Sequence, residues 1–288
     1  MPQLITIYLL MPRTFKFIIA LTFFAIICLA YGFFIEPKLL KTRLVAVQST
    51  NYNGQTLRVA LLSDIHIGGR HVSAKRVETI VARVNALKPD IILIPGDFIN
   101  GHKARAEHRE DFNTEVDRAL TALGALKAPL GTFASIGNHD VWYDAAYVEK
   151  ILSNAGLNVV ANTSLTLNNG LCISGLLDYD TQGEDNSVFE GCRTGDNIIA
   201  LMHSPDSFTG LRSDISLAVA GHTHGGQINL PLFGRRVTST RAGKKWAYGL
   251  KEIGGIPAFI TAGIGTSILP ARFRAPPEIV LIELMGPH

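Results

Sequence analysis

Five short stretches of this 288-residue chain carry side chains that can hold a cation or move a proton. They are Asp64 with His66, then Asp97, then Asn138 with His139 and Asp140, then His203, then His222 with His224. The last pair sits among glycines in Gly221-His222-Thr223-His224-Gly225-Gly226-Gln227. Side chains at i and i+2 of an extended segment point to one side. Two imidazoles on one side, with no bulky neighbour, suit a metal. Carboxylate, imidazole and amide donors without thiolate select hard-to-borderline divalent ions, here Mn, Fe or Zn. The donors Asp64, His66, Asp97, Asn138, His203, His222 and His224 outnumber those of a closed zinc site and suit two ions sharing a bridge. Two ions about 3.5–4 Å apart stabilise both the attacking and leaving oxygens of a phosphoryl displacement, and metal binding lowers the pKa of water from about 15.7 towards 7. The chemistry expected is attack of a metal-activated hydroxide on phosphorus, with His139 as general acid. Each donor alone has a plainer reading: an aspartate after a strand caps a turn or helix, an asparagine forms turns, and a single histidine before Ser204-Pro205 is structural. Their joint occurrence at comparable places carries the inference.

What makes the places comparable is an apolar run before each. Leu57–Leu62, Ile91–Ile94, Gly131–Ile136, Ile198–Met202 and Leu217–Ala220 read as buried strands, and each ends in one of the five stretches. Ligands gather beyond the carboxyl ends of parallel strands in open α/β sheets. Ser73 caps a helix whose stripe is Val77, Ile80, Val81, Val84 and Leu87, ended by Pro89. The strands on either side should therefore be parallel. Phe112, Val116, Leu120, Leu123 and Leu126 mark a second helix, and Asp144–Leu152 a third. Val159–Leu167 and Leu171–Leu177 read as a hairpin about Asn168-Asn169-Gly170. Ala258–Thr261 and Ile279–Ile282 are further strands flanking a Gly- and Pro-rich loop. Residues 101–110 and 180–196 read as surface loops, and His71, His102, His108 and His288 as surface histidines. Helices early and strands late favour an α/β core of two sheets with helices outside. Gly96, Gly137, Gly221, Gly225 and Gly226 would leave room where backbone crowds the ions.

From Phe17 to Ile35 no residue is charged, long enough to span about 30 Å of hydrocarbon as a helix. A cleaved signal peptide is the competing reading, but its apolar core is usually about 7–15 residues and no small-x-small site follows here. A single-span anchor is expected, and Leu4–Met11 is a candidate interfacial piece. Arg13 and Lys16 before the span and Lys38, Lys41 and Arg43 after it leave the orientation open. Residues 1–45 are read as anchor and linker, and 46–288 as the catalytic domain. A net charge of +3 is too mild to imply nucleic acid. Of Cys28, Cys172 and Cys192, the last two could form a disulfide, but reduced, partly buried thiols are the favoured reading.

Asp64-Ile65-His66, Gly96-Asp97, Gly137-Asn138-His139-Asp140, His203-Ser204-Pro205-Asp206 and the Gly221–Gln227 stretch resemble, in order, the five blocks of the calcineurin-like metallophosphoesterases. That resemblance implies a four-layer α/β/β/α sandwich with two mixed sheets. It implies a first divalent ion held by Asp64, His66 and His224, a second held by Asn138, His203 and His222, and Asp97 bridging them. It implies that His139 faces the substrate as a catalytic group and that Asp140 orients it. The tail Gly263-Ile264-Gly265-Thr266-Ser267, with Pro270, Arg272, Phe273 and Pro277-Glu278-Ile279, is similar to a small membrane-associated branch that includes the UDP-2,3-diacylglucosamine pyrophosphatase type of lipid A synthesis. The expected function is a membrane-anchored, binuclear phosphodiesterase or pyrophosphatase acting on a phosphoester, with a lipid-linked one as a candidate substrate. A phosphomonoesterase or protein phosphatase is the rival within the class, and a non-catalytic metal-binding module the rival outside it. Arg272 and Arg274 are candidate diphosphate clamps. Arg235, Arg236, Arg241, Lys244 and Lys245 with Trp246 are candidates to meet anionic headgroups.

Overall fold

The structure, a computed structural model, describes residues 12–183 and 185–287. The piece Leu4–Met11 and His288 lie outside the described residues. Helix α1, Arg13–Ala30, continues through a wider turn at Tyr31–Ile35 and a tight one at Glu36–Lys38. None of α1 is buried, and its mean hydropathy reaches 2.6. A helix so apolar and so little covered by the described residues is long and apolar enough to cross a bilayer.

Strand β1 is Lys41–Gln48 and β2 is Leu57–Leu61; then α2 (Ala74–Ala86), β3 (Ile91–Pro95), α3 (Glu110–Ala122), β4 (Thr132–Ser135), α4 (Asn138–Asn154) and β5 (Asn158–Val159) alternate. Strands β6 (Thr163–Thr166), β7 (Leu171–Gly175), β8 (Asn197–Leu201) and β9 (Ile215–Ala220) follow. The chain closes with the small ribbon β10 (Asn229–Leu230) and β11 (Gly234–Arg235), then β12 (Gly249–Ile253), β13 (Ile256–Ile260) and β14 (Glu278–Met285). One six-stranded sheet has the order β1-β14-β2-β3-β4-β5 and the other β12-β13-β9-β8-β7-β6. Both are mixed: β2 to β5 and β7, β8, β9 and β13 run parallel, while β14 against β2, β6 against β7 and β12 against β13 are antiparallel.

Strand alternation builds the layers. Val59 and Leu61 of β2 and Leu217 and Val219 of β9 point into the space between the sheets, with Phe133 and Phe259. Ala60 points the other way, against Val77, Ile80 and Val84 of α2. Ala218 and Ala220 face the outer side of the second sheet with Phe208 and Trp246. That outer layer is made of tight turns, Asn186–Gly191, Pro205–Gly210 and Gly243–Trp246, where the first sheet carries α2, α3 and α4.

Three expectations change. The run from Val159 to Leu167 is not one strand: the backbone turns left-handed at Asn162, and β5 stays in the first sheet while β6 joins the second. The linker is not separate from the domain, because β1 pairs with β14 from Lys41, and Glu36 is buried, accepting the amides of Arg274 and Ala275. Cys172 and Cys192 are joined, their Cα atoms 5.9 Å apart, because the turn after Asp185 folds Cys192 back onto β7. The helix expected from Asp144 is present, and the Asn-His-Asp block forms a separate helical turn before it, joined across a break at Asp144 whose backbone is not helical.

Candidate metal centre

Strands β2, β3 and β4 of the first sheet and β8 and β9 of the second end side by side, and the loops beyond them carry all the donors named from the sequence. Adjacent loops hold one another: the amides of Asp64 and His66 donate to the carbonyls of Gly96 and Asp97, and that of Gly221 to His203. Asp64, His66, Asp97, His222 and His224 all adopt left-handed backbone, with φ of 50°, 51°, 54°, 68° and 51°. Such conformations cost of order 1–3 kcal/mol each and persist where surrounding structure imposes them for a functional purpose. A Cβ on Gly137 would come 2.3 Å from Asp97 Oδ1, and one on Gly221 would come 2.5 Å from Asp64 Oδ2. At those two positions glycine lets the second wall close on the carboxylates.

The donors fall into overlapping groups. Asp64, His66 and His224 converge, as do Asp97, His203 and His222, and His66 and Asp97 also group with His139. His66 Nε2 lies 3.0 Å from His224 Nε2, and His203 Nε2 lies 3.0 Å from His222 Nδ1 and 3.1 Å from Asn138 Oδ1. Nitrogen lone pairs aimed at each other in a buried site need a proton or a cation between them. This donor set therefore fits divalent ions. Asp97 spans the groups: its Oδ1 accepts the His139 amide at 2.9 Å, while Oδ2 is 3.5 Å from His66 Nε2 and 3.3 Å from His203 Nε2. Asp64 is held by the His222 amide, which reaches both carboxylate oxygens at 2.9 and 3.1 Å.

At three of the rings a polar partner on the far side sets which nitrogen faces inward. His203 Nδ1 donates to the Pro95 carbonyl at 2.7 Å, leaving Nε2 for the site. His222 Nε2 lies 3.3 Å from Asp180 Oδ2, leaving Nδ1. His139 Nδ1 donates to the Gly101 carbonyl at 3.1 Å, so Nε2 faces the cleft, 3.3 Å from Ser267 Oγ.

Before any cation binds, burial dominates the protonation of the site. It pushes His66 down to about 3 and holds His224 well below an ordinary histidine. It pushes Asp64 up to about 6. At Asp97 and His203 burial is overridden by their mutual attraction, so the carboxyl stays well below its ordinary range and the imidazole well above. His139 is lowered, first by burial. Asp140 is pushed up to about 8 by burial and then by the Asp97 charge.

Asp140 does not orient the His139 ring. Its carboxylate accepts the amides of Ile99 and Gly137, at 3.1 and 3.0 Å, and so fixes the loop after β3 to the start of α4. Arg272 is not a clamp at the cleft either. It is fully buried, donates to the carbonyls of Gly265, Ala275 and Ala262, and lies 3.4 Å from His224 Nδ1. It stiffens the tail loop whose Gly265 amide donates to Asp64. Arg274 is exposed and is not among the residues lining the cleft. Trp246 is buried against Phe208, and Arg235 is turned inward to the Gly225 carbonyl, so neither forms an outward basic-aromatic patch.

The cleft, about 370 Å³, adds residues that the sequence did not single out: Trp142, Asp180, Ser239 and Ile268. His102, read as a surface residue, also lines it, its ring 4.6 Å from that of His139. Its place in the loop directly after the Asp97 block was a usable signal. Asp180 had none, since its end of the loop, from Asp180 to Ser187, is polar apart from a glycine.

The profile of the family described as calcineurin-like phosphoesterase matches residues 57–226. The chain is 29% identical over 266 residues to the uncharacterized metallophosphoesterase YkuE of Bacillus subtilis (strain 168), covering 88% of both chains. It is 28% identical over 241 residues to an uncharacterized metallophosphoesterase of Aquifex aeolicus (strain VF5), covering 81% of this chain and 87% of that one. A Danio rerio protein named transmembrane protein with metallophosphoesterase domain is 33% identical over 192 residues, 60% of this chain and 41% of its own length.

Proposed function

This chain belongs to the calcineurin-like phosphoesterase family and is a metal-dependent phosphoric ester hydrolase, and from that premise we propose that it is a membrane-anchored phosphodiesterase working with two divalent ions. One observation carries the two-ion reading. Asp97 has one oxygen tied to the His139 amide and the other directed between His66 and His203, one from each half of the donor set. Asp64, His66 and His224 would hold one ion, and Asn138, His203 and His222 the other. When bound, the ions would supply an activated water and neutralise phosphate charge.

The protein's own groups do the rest. Asp180 keeps His222 turned so that Nδ1 faces inward. Asp140 ties the His139 turn to the loop after β3, and with it the amide that holds Asp97. His139 presents Nε2 to the cleft beside Ser267. Burial favours its neutral ring, and an arriving phosphate anion would draw a proton onto Nε2, from which the leaving oxygen takes it.

The exposed apolar helix supports the anchor. The Cys172–Cys192 bridge supports a catalytic domain facing an oxidising compartment. The test is hydrolysis of bis-p-nitrophenyl phosphate by metal-free protein supplied with Mn. Wild type should turn over and Asp97→Ala should lose that activity. No turnover by wild type, or full turnover by Asp97→Ala, removes the proposal. A p-nitrophenyl phosphate rate well above the diester rate would assign a monoesterase instead.

A further inference from the structure

A second apolar surface lies beside the cleft, away from α1's own span. Leu232 is fully exposed and Ile268 is 92% exposed, with Val237, Phe233, Leu269 and Leu230 beside them in the sequence, all exposed. Leu232 and Phe233 form the tip between β10 and β11, and Ile268 and Leu269 the tip of the tail loop. The two tips belong to one structure. Ile228 bridges to Phe273, and the Gln227 side chain donates to the carbonyls of Ser267 and Leu269. Beside the Ile268–Leu269 tip an apolar recess of about 240 Å³ runs from His224 and Ser267 out to Val237 and Ile268.

Both tips are shaped at a cost. Leu232 and Ile268 adopt left-handed backbone, with φ of 66° and 60°. Glycine makes such turns without strain, and a β-branched residue there is an outlier. The chain nevertheless places large apolar side chains at these points and leaves them in the open. Surfaces of this kind mark sites of interaction with a protein or a membrane.

Continuity decides which. A recess of about 220 Å³ joins the end of the apolar helix, at Cys28, Leu29 and Phe33, to Ile228, Leu230 and Leu269. The Arg272 amide donates to the Gly32 carbonyl at 2.9 Å, and Tyr31 stacks edge-on with Phe273. The tips thus adjoin the point where the helix leaves the domain. Cations sit beside aromatic rings at both places: Arg236 is 5.5 Å from the Phe233 ring, and Arg70 is 5.1 Å from that of Phe34. Aromatic and basic side chains together anchor proteins at the level of lipid headgroups.

We propose that the Leu232–Phe233 and Ile268–Leu269 tips dock into the headgroup–acyl boundary of the same bilayer that α1 enters, so that the cleft mouth is held against the lipid surface and opens to phosphoesters carried by lipids. The inference rests on the anchor reading above, and its test separates the two. The full chain, with Cys28→Ser, carries a single nitroxide at Leu232→Cys or Ile268→Cys, or at Phe24→Cys in the helix, or at Leu165→Cys on β6, in vesicles of phosphatidylcholine and phosphatidylglycerol. Relative accessibility to oxygen and to a water-soluble nickel chelate reports depth. The labels at 232 and 268 should give an oxygen-to-nickel ratio about threefold that at 165, as burial by ~5–10 Å implies, with the label at 24 deeper still. Leu232→Asp with Phe233→Asp should return the 268 label to the ratio seen at 165, while hydrolysis of bis-p-nitrophenyl phosphate stays unchanged. Labels at 232 and 268 matching 165, with 24 protected, overturn the docking and leave the anchor. A label at 24 as accessible as 165 overturns both.

Discussion

At the scale of single residues, three rings of the site have their outer nitrogens already spoken for. His203, His222 and His139 each give one nitrogen to Pro95, Asp180 or Gly101 and present the other inward. His203 is the one whose proton must leave, since Asp97 raises its pKa well above the ordinary value against burial. A histidine must be neutral to bind a cation. The protonated ring therefore opposes loading below its raised pKa, and the opposition fades as pH rises through it. Calorimetry of Mn binding in buffers of different ionisation heat should find about one proton released near pH 7, with affinity falling roughly tenfold per unit of added acidity. Release of no proton would show that His203 is already free. His139 stands apart, with its ring against His102 and Trp142 and its Nε2 on the cleft. His139→Ala should keep the metal content of wild type by elemental analysis and lose about 10²–10⁴-fold in diester turnover. Undiminished turnover would end the general-acid assignment.

At the scale of elements, the site is a product of strand ends from two sheets and of the loops that lock them. The tail loop from Ala262 to Pro277 lies behind the first group of donors, pinned by buried Arg272 and by Glu278, which accepts the Ala262 amide and the Tyr248 hydroxyl. The 180–196 loop lies on the opposite side and carries Asp180. Its far end is stapled to β7 by the disulfide across a sequence separation of 20. Closing a loop of that length is worth about 3 kcal/mol in chain entropy. Cys172→Ser with Cys192→Ser should lower stability by about that amount in urea titration. The loss should be accompanied by weaker retention of metal, because the loop that holds His222 loosens. Unchanged stability would mean that the bridge closes a loop already fixed by its packing.

At the scale of the whole molecule, the apolar helix and the domain meet through a short, buried joint rather than a free linker. Gly32 and Glu36 are buried, Glu36 accepts two amides of the tail loop, and β1 extends the first sheet at its edge. A form of the protein beginning at Tyr31 should stay folded and hydrolyse bis-p-nitrophenyl phosphate at the wild-type rate, and should no longer partition with vesicles. A form beginning at Ser49 loses β1 and leaves the Arg274 and Ala275 amides without Glu36. The Ala275 amide is buried, and leaving it without a partner costs about 1–3 kcal/mol, so thermal denaturation should show a clear loss. Equal melting of the two forms would restore the separate linker.

What the sequence determined by itself was local. Apolar runs followed by Asp, His or Asn named the strands and the donors that end them, because strand burial and side-chain chemistry are properties of a few neighbouring residues. The hairpin turn at Asn168–Gly170 and the Ser73 cap were legible for the same reason, and the Ser73 hydroxyl accepts the Arg76 amide. What only the tertiary structure decided was which distant groups meet. The switch of the chain between sheets at Asn162, the burial of Arg272 behind His224, the Cys172–Cys192 bridge and the approach of Asp180 and Ser267 to the histidines all join residues far apart in the chain or in different layers. No local pattern encodes those meetings, because they follow from how two sheets stack and which loops that stacking brings to one end.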